Sequence, residues 1–70
     1  TMTYAQVLKC FLQSKKISQA ELARRTGMST AYISQLARGD IKEPTLQKAY
    51  VIADCLGVTI DAFVQLMNQD

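Results

Sequence analysis

The sequence predicts an all-α domain of five short helices. Gly27, Gly39, Pro44 and Gly57 fall between stretches whose apolar residues recur at helical spacing. No segment sustains the period-two alternation of a strand. A Ser or Thr stands ahead of each apolar run, where its oxygen can accept from the free N–H groups of a helix start. Seventy residues make a single domain, 1–70, near the lower limit for folding around one core without a metal or disulfide framework. With 49% apolar and 20% charged residues the composition is globular.

The first helix is expected from Tyr4 to Ser14. Thr3 and Gln6 fit a capping box, and Tyr4, Leu8, Phe11 and Leu12 form its apolar face. Lys15 and Lys16 suit the negative end of its dipole. Ser18 and Glu21 spell a second capping box, starting a short helix from Gln19 to Thr26 that Gly27 stops. Ser29 caps a third helix, Thr30 to Ala37, which ends before Gly39. Residues 40–44 form a polar loop. Thr45 caps a fourth helix, Leu46 to Leu56, with Leu46, Ala49, Ile52, Ala53 and Leu56 facing inward. Gly57 and Val58 make a Schellman-type stop. Thr59 caps a fifth helix, Ile60 to Asn68, with Ile60, Phe63, Val64 and Met67 on one side.

Several classes of function drop out. There is no His, and the two cysteines are Cys10 and Cys55, so the chain cannot supply a Cys/His zinc site. Two cysteines this far apart are not a secreted disulfide framework; they read as free thiols in a reducing cytoplasm. No His can activate a serine and no G-x-S-x-G elbow occurs. With no acid/base or metal constellation, neither enzyme activity nor a cofactor is expected. No run of 18 apolar residues exists, so no spanning helix and no membrane partner are expected, and no signal segment is seen. Thr1, ahead of Met2, reads as a cloning remnant.

The net charge of +2 hides an asymmetry. Residues 1–39 carry Lys9, Lys15, Lys16, Arg24, Arg25 and Arg38 against Glu21 alone. Residues 40–70 carry Lys42 and Lys48 against Asp40, Glu43, Asp54, Asp61 and Asp70. A basic half and an acidic half suggest one face turned toward a polyanion.

The stretch from Gln19 to Arg38, QAELARRTGMSTAYISQLAR, carries the most information. Two helices can cross steeply over so short a turn if three demands are met. The turn must tolerate positive φ, which Gly27 does. The first helix must be small at the crossing, which Ala23 supplies. The second must anchor in the core, which Ile33 and Leu36 supply, with Leu22 and Met28 completing the contact. Thr30, Ala31, Ser34 and Gln35 then occupy the other side, a small and neutral polar surface able to hydrogen-bond.

This pattern resembles the phage-repressor and Cro-type helix-turn-helix regulators, the xenobiotic-response-element family of bacteria and their viruses. The matching residues are Gln19, Glu21, Leu22, Ala23, Gly27, Ser29, Ile33, Leu36, Arg38 and Gly39. The match continues through Pro44, Leu46, Ile52, Ala53, Leu56, Gly57, Val58 and Phe63, so it covers about Tyr4 to Leu66. It implies a compact lambda-repressor-like five-helix domain with the motif at 19–38. Its recognition helix, about 30–37, would lie in the major groove of double-stranded DNA. Thr30, Ala31, Ser34 and Gln35 match base-facing positions. Gln19, Ser29, Arg38 and the Lys42 loop match positions along the phosphate backbone. Independently, a Gln amide can bond N6 and N7 of adenine, and the Thr30 or Ala31 methyl can touch a thymine methyl.

Tyr32 either reaches a phosphate through its hydroxyl or packs against a neighbour. Arg24 and Arg25 either touch phosphates or form a solvated helix surface. Leu12 and Ala37 stand where many relatives carry an Arg–Glu pair, an exchange of an ion pair for an apolar contact. Thr26 stands where an aliphatic residue is usual. Val64, Leu66 and Met67 exceed what a terminal helix can bury, which suggests a dimer interface. The expected function is a homodimeric repressor reading a palindromic operator in the cytoplasm. Two other readings share the fold: an antitoxin or restriction-modification controller with a toxin or other protein partner, and a protein-interaction module without DNA binding.

Overall fold

The computed structural model describes residues 1–69. Five helices follow in order: α1 (Tyr4–Lys15), α2 (Gln19–Thr26), α3 (Thr30–Arg38), α4 (Leu46–Leu56) and α5 (Ile60–Met67). No strand occurs among the described residues. Each expected helix is present, and the differences at the ends are single residues. α1 and α3 each run one residue further, and α5 stops at Met67 with Asn68 as its cap.

The starts form as their chemistry dictates. Thr3, Ser18, Ser29, Thr45 and Thr59 each accept a backbone N–H three residues on. Thr3 and Gln6 make the full reciprocal box. Ser18 and Glu21 do not. Ser18 accepts from the Glu21 N–H, but the Glu21 carboxylate turns along the helix to Arg24 and Arg25. Two guanidinium groups within one turn hold a carboxylate more strongly than one neutral N–H does.

α1, α3, α4 and α5 enclose the core, and α2 packs on α3 and α4. Val7, Leu8, Leu22, Ile33, Leu36 and Ile52 are fully buried. Tyr4 stacks on Phe63 with centroids 5.0 Å apart, and Phe11 tilts against the same ring. Val7 completes the α1 face read from Tyr4, Leu8, Phe11 and Leu12; α1 is covered on two sides, so its buried stripe is wider than one row. Leu12 and Ala37 are both buried in this core. Thr26 donates to the carbonyls of Leu22 and Ala23 and accepts from the Met28 N–H, so its hydroxyl is satisfied within the turn.

One inward assignment is corrected. Leu46 is 77% exposed. It is the first residue of α4 and sits at the rim of an open groove between α4 and α5, so its position on the helical wheel does not bury it. No single helix among the described residues is long and apolar enough to cross a membrane.

Candidate nucleic-acid interface

α3 is held from below and open above. Ile33, Leu36 and Ala37 point into the core. Residues at i, i+4 and i+7 lie on one side of a helix, and Ala31, Gln35 and Arg38 form such a row, all exposed. Thr30 is exposed at the helix start. Thr30, Ala31 and Gln35 stand uncovered because the Gly27 turn (φ 75°, ψ 10°) swings α3 across α2. No other part of the described chain covers them.

The two flanks of α3 are engaged. On the α2 side, Ser34 is half-buried and its Oγ donates to Gln19 Oε1 at 3.0 Å. The structure thus joins two of the expected contact residues to each other. On the α4 side, Tyr32 is half-buried and Lys48 Nζ sits 4.4 Å from its ring centroid. Tyr32 therefore packs against a neighbour, and burial raises its pKa. Ser29 is exposed, but its Oγ is committed to capping α3 through the Tyr32 N–H.

Several of the cations are already engaged. Glu21 binds Arg24 and also Arg25, whose Nε lies 2.6 Å from Oε2. These bonds, Arg24 first, hold the Glu21 carboxyl below its ordinary range and raise the Arg24 pKa. Arg38 reaches Asp40 at 2.9 Å. Lys9, Arg38 and Lys42 line one open depression beside the end of α3, with Thr3, Gln6 and Glu43. Lys9 and Lys48 are the basic residues that the sequence reading left out of this surface. Their neighbours come from other helices, so no local spacing could have shown them.

The expected interface residues separate. Val64 is 46% exposed, whereas Leu66 and Met67 are half-buried against the core. Among the described residues, the large exposed hydrophobics are Leu46, Tyr50 and Val64. Leu46 and Val64 line one groove of about 400 Å3 between α4 and α5, floored by Ala49, Ile60, Phe63 and Met67.

Comparison with known proteins bears on this geometry. A helix-turn-helix family model matches residues 8–63. The immunity repressor protein of Bacillus phage phi105 is 30% identical over 63 residues, which is 90% of this chain. The chain spans 43% of that relative's length. Among solved structures, the master regulator for biofilm formation SinR, in complex with DNA, superposes with a TM-score of 0.82 at 24% identity. That match covers 87% of this chain and 97% of SinR, and it shows a shared fold. Part of HppE also superposes, with a TM-score of 0.77 at 30% identity over 86% of this chain and 33% of HppE. The buried anchors, the crossing at Gly27 and the match through residues 8–63 converge: the chain belongs to the helix-turn-helix family of the phage-repressor and Cro type.

Proposed function

We propose that this chain reads the major groove of double-stranded DNA through α3 and acts, as a homodimer, to repress transcription from a palindromic operator in the bacterial cytoplasm. The observation that carries this is the open row on α3, with Thr30, Ala31 and Gln35 facing outward over a fully buried anchor of Ile33 and Leu36. Neutral hydrogen-bonding and methyl groups suit base edges. Gln19, Arg38, Lys42, Lys9 and Lys48 surround the row and suit the sugar-phosphate backbone, where each cation releases condensed counterions. To reach a phosphate, Arg38 exchanges Asp40 for it, a small cost because the pair is solvent-exposed.

A second copy is the partner that fits Leu46, Tyr50 and Val64. One module offers few cations, and a two-fold pair would set two α3 helices about 34 Å apart on one side of the duplex. The test is selection of bound sequences from a random duplex pool, followed by binding of Gln35→Ala. Loss of a bidentate amide–adenine contact should cost about 1–3 kcal/mol and relax preference at one position of each half-site. An unchanged preference among operator variants would remove Gln35 from base reading. Failure to retain any duplex at low salt would remove the DNA reading altogether.

A further inference from the structure

We infer that Ser34 is a positioning residue for Gln19 and not a reader of bases; the inference rests on the DNA reading above. The pairing is a side-chain bond between two helices, Ser34 Oγ to Gln19 Oε1 at 3.0 Å, with both residues half-buried. A glutamine amide has an acceptor end and a donor end. In the arrangement seen, Oε1 is bonded to Ser34, which leaves Nε2 as the end free for an outside partner.

That choice matters for a polyanion. A phosphate oxygen accepts hydrogen bonds and is repelled by a carbonyl oxygen. A freely rotating Gln19 would present the wrong end in part of its population and would lose side-chain entropy when it bound. The bond to Ser34 holds the Gln19 amide in place in advance, with its carbonyl end turned to the hydroxyl. Ser34 also differs from its neighbours on α3. Ala31 and Gln35 make no side-chain bond within the described chain, whereas the Ser34 proton is already spent. Ser34 thus acts on every operator alike, through a backbone contact made by a different helix.

The experiment compares Ser34→Ala, Ser34→Thr, Gln19→Ala and the double alanine variant by fluorescence anisotropy. The probes are a duplex from the selection and its single-base variants, and helical circular dichroism confirms folding. Ser34→Ala should weaken binding about fivefold on all duplexes, with base preference unchanged. Ser34→Thr should restore it. The double variant should bind no more weakly than Gln19→Ala, because both changes break one device. The salt slope should stay constant, since no cation is lost. In the free protein, the two Gln19 side-chain amide proton signals should move toward averaged positions in Ser34→Ala. A changed preference at one base position, or losses that multiply in the double variant, would overturn the inference and leave the DNA reading standing. Absence of wild-type binding to any duplex would overturn both.

Discussion

The hydroxyl of Tyr4 is buried without a hydrogen-bond partner, although its ring stacks well on Phe63. Burial, and then the nearby Tyr32, push its pKa far up, so Tyr4 remains neutral in the folded chain. The ring gains from burial while the oxygen loses its hydration. Tyr4→Phe should therefore raise stability by about 1 kcal/mol in urea unfolding, since it removes an unsatisfied polar atom and keeps the ring. The pH sign follows from the raised pKa. The unfolded chain ionises first, so this stability is complete below the ordinary tyrosine pKa and is lost as pH rises above it. Tyr4→Phe should flatten that alkaline decline. Glu21 behaves in the opposite sense. Its pKa is lowered, so its contribution is present above 4.5, its ordinary value, and is lost as pH falls through the lowered one. Glu21→Gln should shrink the acid decline in melting temperature only modestly, because the pair lies at the surface.

At the scale of elements, the five helices are defined more by their ends than by their interiors. α2 has eight residues and α3 nine, too short to persist alone in water. Each is closed by a Ser cap at the start and a left-handed residue at the end. The turn between them depends on Gly27 for conformation and not for space, since nothing would lie within 4 Å of an added Cβ. Gly27→Ala should cost about 1 kcal/mol from backbone strain alone, measured by chemical unfolding. Lys16 shows the same strain already tolerated, with a φ of 57° at the end of α1. There the Ile17 N–H closes onto the Leu12 carbonyl at 2.9 Å, which ties the left-handed residue into the stop.

At the scale of the whole molecule, charge and apolar surface lie on different elements. Lys9, Arg38 and Lys42 gather beside the end of α3 and Lys48 lies against Tyr32, whereas the large exposed hydrophobics among the described residues lie on α4 and α5. Binding to DNA should weaken steeply with salt, and Lys42→Ala should reduce the log–log slope by about 0.9. Self-association should depend on the α4–α5 face. Val64→Asp replaces an exposed apolar side chain of the groove, which Glu43 also lines, with a second negative charge and should shift sedimentation toward monomer while leaving helicity intact. It should also weaken binding to a two-half-site duplex far more than to a single half-site. Equal losses on both duplexes would detach this face from pairing of copies.

Local chemistry was enough to define the helices, because a cap, an apolar spacing and a left-handed stop all act within a few residues. It also located α3 and its steep crossing with α2, since Gly27, Ala23, Ile33 and Leu36 meet the demands of a tight turn by themselves. Partnerships between helices were decided only when the chain packed. Ser34 with Gln19, Lys48 with Tyr32, and the exposure of Leu46 all depend on which element lies opposite, and spacing along one helix carries no record of that. Glu21 shows the boundary within a single turn: its position suggested a cap, but competition among three nearby donors settled its partner, and that outcome is set by relative bond strength in three dimensions.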